Sequence, residues 1–116
     1  MREIRIIANI SLDGVTQAPG GPDEDRDGDF EHAGWAMPYF DPAMAEAIAA
    51  AQGKSFDLLL GRRTYDIFSG YWPKVENDPI ADGLNAAAKY VATHRPDSLA
   101  WGPAEGLGSD IVVGIR

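Results

Sequence analysis

A short apolar run, DLLL at residues 57–60, constrains the fold of this chain more than any other feature. It has the length of a strand and lies between turn-forming residues, which is typical of a parallel strand buried on both faces. Gly61 follows it directly. Aromatic residues then recur at helical spacing from residue 62 to residue 68 and on to Trp72, and Gly70 and Pro73 end that pattern. The run therefore predicts a strand, a tight turn and a helix.

Two other segments have the pattern of strands. Residues 3–12 (EIRIIANISL) are rich in isoleucine and partly alternating, and they end at Asp13-Gly14, a common turn pair. Residues 89–93 (KYVAT) combine β-branched and aromatic side chains. With the run at 57–60, these segments predict a sheet of at least three strands.

Helices are expected between the strands. Asp41-Pro42 fits an N-cap with proline in the first turn, before the alanine-rich AMAEAIAAAQ, and Gly53 ends that segment. Residues 79–85 fit a second short helix. Residues 109–116 fit either a capped helix or a strand. The alternating order predicts an α/β fold in which helical crossovers join parallel strands.

Length and composition exclude several classes of protein. A chain of 116 residues with 45% hydrophobic residues is predicted to form one domain, 1–116. The absence of cysteine excludes disulfides, thiolate metal sites and a cysteine nucleophile. A net charge of -8 argues against nucleic-acid binding. No run is long and apolar enough for a membrane span, and the N-terminus does not resemble a signal peptide, so we expect a cytoplasmic protein.

The junction after the central strand is the best candidate binding site. Gly61 would let an anion approach the backbone, Arg62 and Arg63 could hold a phosphate through planar forks, and Thr64 adds a hydroxyl donor. Ligands of parallel α/β sheets collect at such strand ends. The alternative is an ordinary strand, turn and helix whose arginines pair with nearby acids.

Four stretches in the same order carry a resemblance to a known family. LLLGRRTYDIF, residues 58–68, resembles the strand-to-helix motif of the dihydrofolate reductase-like superfamily. SLDG, residues 11–14, resembles the start of the reductase domain of bacterial riboflavin biosynthesis and its stand-alone relatives. Residues 70–96 resemble the middle of those relatives, and ATHR, residues 92–95, matches their second cofactor loop. The resemblance implies a three-layer α/β sandwich with a mostly parallel sheet. It also implies that a further strand and a glycine-rich turn would follow residue 109, so the expected fold is incomplete at the C-terminus.

The resemblance also implies roles for individual residues. It places the phosphate end of NADPH against the strand-to-helix junction, with Arg62 or Arg63 binding the ribose 2′-phosphate and selecting NADPH over NADH. The implied cofactor-binding residues are Ala8, Gly61, Arg62, Arg63, Thr64, Thr93, His94 and Arg95. The last three would border the adenine and its ribose, and Ala8 would lie beside the nicotinamide.

The implied substrate side lies earlier in the chain. Asp13 is the acid expected nearest the site of hydride transfer, where it would orient substrate or relay a proton; the alternative is that it shapes the Asp-Gly turn. Trp35, Tyr39 and Asp41 are expected at the substrate wall, although Asp41 also suits helix capping.

Two metal-like patterns have simpler explanations. Asp23, Asp25, Asp27 and Asp29 resemble the first half of a calcium loop, but Gly34 stands where the bidentate glutamate belongs. A solvated acidic loop is the preferred interpretation, and the two histidines are too scattered for a zinc site. We therefore expect no metal.

The leading functional hypothesis is an NADPH-dependent reductase of a small heterocyclic substrate, of pterin or pyrimidine type, acting as a homodimer. The alternative is a nucleotide-binding or assembly module without catalysis. The sequence does not identify the substrate, because one fold serves several chemistries.

Overall fold

The structure, a computed structural model, describes residues 3–115. The chain divides into two compact units, an N-terminal unit, Met1–Ala51, and a C-terminal unit, Gln52–Arg116. Its helices and strands combine in an α/β arrangement with a three-stranded parallel sheet, as the alternating sequence pattern predicts. Among the described residues, no helix is both long and apolar enough to span a membrane.

The N-terminal unit contains one α-helix, α1 (Pro42–Gln52), in its described part, and 3-10 turns at Asp27–Asp29 and Met37–Tyr39. The predicted cap of α1 is confirmed, because Asp41 Oδ1 accepts a hydrogen bond of 2.8 Å from the backbone N–H of Met44. Gly53 follows the helix with φ of 76°, a conformation that favours glycine and ends the helix as predicted.

The predicted strand at residues 3–12 is wrong, since the structure assigns no strand to that segment. Its isoleucines are exposed, with Ile6 at 89% and Ile7, which would lie on the opposite face of a strand, at 50%, so the segment buries neither face. A strand requires backbone partners, and all the strand pairs of the described residues lie within the C-terminal unit. High β-propensity without a partner strand is therefore not enough to form a strand here.

The sheet of the C-terminal unit consists of β1 (Leu58–Gly61), β2 (Lys89–Ala92) and β3 (Ala104–Gly106), in the order β1-β2-β3. All neighbours are parallel. The strands β1 and β2 fall within about one residue of their predicted positions. The third strand was not predicted, and it pairs with β2 in the register Lys89↔Ala104.

Three helices accompany the sheet: α2 (Arg62–Tyr71), α3 (Pro79–Ala86) and α4 (Ile111–Ile115). The first two agree with the predicted helical segments. The ambiguous C-terminal segment is a helix, because Asp110 Oδ1 accepts a hydrogen bond from the backbone N–H of Val113 and so caps it. Residue 116, the end of that predicted segment, lies outside the described residues.

The core of the C-terminal unit joins α2, α3 and β2 through Tyr65, Leu84, Val91 and Trp101. The Tyr65 hydroxyl accepts a hydrogen bond of 2.7 Å from the backbone N–H of Trp101 and donates one of 3.1 Å to its carbonyl. One side chain therefore satisfies both backbone polar groups of the buried Trp101. The network anchors the segment before β3 to the middle of α2.

Candidate functional site

The carboxyl ends of β1 and β2 lie side by side, because Gly61 pairs with Ala92 at the last position of the ladder. Each strand is followed directly by predicted site residues. Arg62 begins α2 after β1, and Thr93, His94 and Arg95 follow β2. The parallel register thus brings together two segments that stand about 30 residues apart in the chain, as ligand sites of parallel sheets require.

Arg62 acts as a clamp between these two segments. Its Nε donates to Asp66 Oδ1 at 2.9 Å, one terminal nitrogen donates to Thr93 Oγ1 at 3.2 Å and to the Arg95 carbonyl at 2.9 Å, and the other donates to the Ser98 carbonyl at 3.3 Å. Only 16% of its side chain is exposed. These bonds leave one N–H of the guanidinium unused among the described residues. Arg62 therefore contributes positive charge to the site, while four of its five N–H groups donate hydrogen bonds to protein acceptors.

Thr93 presents a hydroxyl proton to the same place. Its Oγ1 accepts hydrogen bonds from Arg62 and, at 3.0 Å, from the backbone N–H of Arg95. A hydroxyl has two acceptor lone pairs and one donor. Since both lone pairs are occupied and no described residue accepts its proton, the O–H group is available as a donor to a ligand.

Arg95 is the more accessible cation of the site. Its side chain is 65% exposed, and its closest carboxylate is Asp66 Oδ2 at 3.6 Å. Its backbone carbonyl, in contrast, is fixed by hydrogen bonds from Arg62 and from the Ser98 hydroxyl. The loop is therefore held through its backbone, and the guanidinium can rearrange toward an anion.

These residues line a cavity of about 280 Å³, which we call the Thr93 cavity. Eight residues form its wall: Arg62, Ala92, Thr93, His94, Arg95, Gly108, Ser109 and Ile111. Four of the predicted cofactor residues meet here. Gly108, Ser109 and Ile111 were not predicted as site residues, because they reach the site through the position of β3, a strand that the sequence did not predict. Arg63 and Thr64 are exposed and do not belong to this wall.

Gly61 is the last residue of β1, directly before α2, and its backbone conformation does not require glycine. Its φ of -72° and ψ of 157° suit any residue. A Cβ atom built there meets no heavy atom within 4 Å. Neither backbone strain nor crowding in the protein therefore explains a glycine at this position, and the space beside the backbone is open to a ligand.

The other predicted site residues belong to the N-terminal unit. Ala8 and Asp13 are exposed, and Tyr39 is 76% exposed. Trp35 donates from Nε1 to the Gln17 carbonyl at 2.9 Å, and Asp41 caps α1. The predicted capping role of Asp41 is thus confirmed.

Asp13 takes part in a closed local turn. The Ser11 hydroxyl donates to Asp13 Oδ1, and the Ser11 carbonyl accepts from the N–H of Gly14, whose φ is 89°. The hydrogen bond from Ser11, followed by one from the Asp13 backbone, lowers the pKa of the Asp13 carboxyl. At neutral pH the group is ionised and shapes the Asp-Gly turn.

Lys89 is a buried cation that the sequence pattern did not reveal. Its side chain is fully buried, and Nζ donates to the carbonyls of Asn85 at 2.9 Å and Gly102 at 3.2 Å. The ammonium also lies 4.1 Å from the centre of the Trp101 ring. Burial lowers the pKa of Lys89. Because its ammonium donates to the carbonyls of Asn85 and Gly102, this lysine links α3 to the segment before β3, and it does not line the Thr93 cavity.

The acidic loop has no metal-binding geometry. Among the described residues, no group of three or more histidine, cysteine, aspartate or glutamate side chains could hold a metal ion. Asp23 instead pairs with Arg26, and Asp25 Oδ1 accepts from the backbone N–H of Asp27. Local hydrogen bonding explains the spacing of these acids.

Comparison with models of known protein families gives no match for this chain, and comparison with curated proteins gives none either. Its function must therefore be inferred from the chemistry of its own residues. The Thr93 cavity offers two cations and a hydroxyl proton at the ends of two parallel strands. This combination suits a phosphate group.

Proposed function

We propose that this chain is an NADPH-dependent reductase with a dihydrofolate reductase-like fold, acting on a small heterocyclic substrate of pterin or pyrimidine type. The proposal combines the sequence resemblance with the chemistry of the Thr93 cavity. NADPH would supply the hydride, while the protein supplies position and electrostatics. The residues that would hold its 2′-phosphate are Thr93, Arg95 and the unused N–H of Arg62.

The meeting of these donors at one cavity is the observation that carries the proposal. A phosphate monoester has a charge of about −1.5 to −2 and three acceptor oxygens near neutral pH. The Thr93 hydroxyl proton and the exposed Arg95 guanidinium offer complementary donors from one loop. The net charge of -8 repels anions in general, so an anion would be held only where such local cations converge.

The alternative, a nucleotide-binding module without catalysis, is favoured by one observation. The Asp13 carboxyl has a lowered pKa and is engaged in its own turn, so it is a poor proton donor near neutral pH. A module would bind the same nucleotide through the Thr93 cavity and leave it unchanged. Oxidation of NADPH in the presence of pterin and pyrimidine substrates separates the two functions.

Fluorescence titration with NADPH and NADH tests the binding step, and Gly61→Ala sharpens it. Because alanine fits this backbone and meets no neighbouring atom, the substitution should leave the free energy of unfolding unchanged or raise it by about 0.4–1 kcal/mol. A methyl group where the cofactor approaches the backbone should nevertheless weaken NADPH binding roughly tenfold or more, equivalent to about 1.4 kcal/mol.

Gly70→Ala is the matched control. Gly70 lies in α2, its φ is not positive, and a Cβ atom there also meets nothing within 4 Å. This variant should gain stability and bind NADPH like the wild type. Equal affinity of the wild type for NADPH and NADH would contradict the proposed 2′-phosphate site. Unchanged NADPH binding by Gly61→Ala would show that the cofactor does not approach the backbone at Gly61.

A further inference from the structure

The carboxylate of Asp66 lies between the two cations of the Thr93 cavity. Its Oδ1 accepts from Arg62 Nε at 2.9 Å, and its Oδ2 lies 3.6 Å from a terminal nitrogen of Arg95. The helical spacing of four residues places Asp66 one turn after Arg62 on α2. Each carboxylate oxygen therefore faces one guanidinium.

The two ion pairs differ in how easily they can separate. Arg62 is 16% exposed and is held by three further hydrogen bonds, so its contact with Asp66 is fixed. Arg95 is 65% exposed, and its contact with Asp66 is long. An exposed and long ion pair of this kind contributes little to stability. The Arg95 guanidinium can therefore exchange one anion for another at little cost.

We propose that Asp66 is an internal competitor for the ligand phosphate. Without ligand it neutralises Arg95, and on binding it gives up that guanidinium to a phosphate oxygen. A ligand with a single carboxylate is no stronger an acceptor than Asp66 and gains little by exchange. A phosphate dianion carries more charge and more acceptors, so it displaces Asp66. Asp66 thus lowers affinity for all anions and makes the cavity selective for phosphate monoesters.

This inference rests on the proposed function for the identity of the ligand, but it concerns any phosphate anion. Asp66→Asn removes the charge and keeps the shape of the side chain. It should tighten binding of NADPH and of inorganic pyrophosphate roughly three- to tenfold at low salt. The gain should shrink in about 0.5 M salt, because screening weakens the repulsion that was removed. NADH lacks the 2′-phosphate that would enter the cavity, so its gain should be smaller than that of NADPH.

Two variants serve as controls. Asp66→Glu retains the charge and should retain affinity close to the wild type. Glu76→Gln removes one negative charge from an exposed residue of the same unit that does not line the Thr93 cavity, so it should leave binding unchanged. If Glu76→Gln matched the gain of Asp66→Asn, the effect would come from net charge and the proposal would be overturned.

The outcomes separate this proposal from the proposed function. If the wild type binds NADPH and Asp66→Asn binds neither anion more tightly, Asp66 is no competitor and the NADPH site stands. Weaker binding by Asp66→Asn would mean that Asp66 positions the arginines instead. If the wild type does not bind NADPH but Asp66→Asn gains affinity for pyrophosphate, the competitor stands and NADPH is the wrong ligand. Absence of binding by every variant overturns both.

Discussion

Arg62 and Arg95 lie at the same cavity, yet the structure predicts a large loss of stability when alanine replaces Arg62 and almost none when it replaces Arg95. The Arg62 side chain makes three hydrogen bonds that tie the start of α2 to the loop after β2, and a fourth to Asp66 within α2. Arg95 offers only a long ion pair from an exposed side chain, and alanine at that position keeps the backbone carbonyl that Arg62 binds. Stability should therefore depend on Arg62 and hardly on Arg95.

The magnitude follows from these contacts. Each of the three bonds from Arg62 to Thr93 Oγ1 and to the two carbonyls contributes about 0.5–1.5 kcal/mol net, and the half-exposed Asp66 pair adds less than about 1 kcal/mol. Such terms are not additive, and the freed carbonyls regain water because their residues are exposed. Arg62→Ala should thus cost about 2–3 kcal/mol of unfolding free energy. Arg95→Ala should cost less than about 0.5 kcal/mol.

Urea unfolding followed by tryptophan fluorescence measures both values, since Trp101 is buried in the same unit. Both variants should lose NADPH affinity. Binding alone therefore cannot distinguish an arginine that holds the loop in place from one that contacts the phosphate directly. A difference in unfolding free energy below about 0.5 kcal/mol between the two variants, near the limit of such measurements, would refute the clamp. In that case the hydrogen bonds of Arg62 would contribute nothing beyond surface charge.

The buried polar network gives two further predictions. Tyr65→Phe leaves the N–H and carbonyl of Trp101 without their partner, so it should cost about 2–4 kcal/mol in urea unfolding, while Tyr71→Phe, at an exposed position, should change it by less than about 0.5 kcal/mol. Burial lowers the pKa of Lys89, so the unfolded chain binds more protons between the folded and the unfolded pKa. The free energy of unfolding should therefore rise with pH across that interval in the wild type, and this contribution should be missing from Lys89→Met. A wild-type curve that runs parallel to that of the variant would contradict the buried charge.

Much of the C-terminal unit could be predicted because local signals there agree with tertiary pairing. The strand at 57–60 has Gly61 and a helix start immediately after it, and α3 begins at a capping Asp78 followed by proline. The short strand β3 could not be predicted, since Ala-Glu-Gly has no β-propensity and forms a strand only through pairing with β2. The segment 3–12 is the opposite case, with high propensity and no partner.

Part of the arrangement at the candidate site was expected from the sequence. The family resemblance implied that Arg62 lies near residues 93–95, and the strand order brings Arg62 to Thr93 and Arg95. The sequence could not show that Arg62 has a structural role and Arg95 an exposed one. Arg62 binds the backbone carbonyls of Arg95 and Ser98, and because every residue has a carbonyl, no sequence pattern marks these two as acceptors. Asp66 did leave a signal, since an acid four residues after an arginine on a helix predicts an ion pair.

The unpaired isoleucines near the N-terminus have a consequence for the behaviour of the protein in concentrated solution. Ile4, Ile6, Ile7 and Ile10 expose between 50% and 89% of their surface within a segment of seven residues that forms no strand or helix. Such a segment is a template for cross-β stacking between molecules. The net charge of -8 opposes that stacking by keeping molecules apart at neutral pH. Colloidal stability therefore depends on the carboxylates and decreases as acid protonates them.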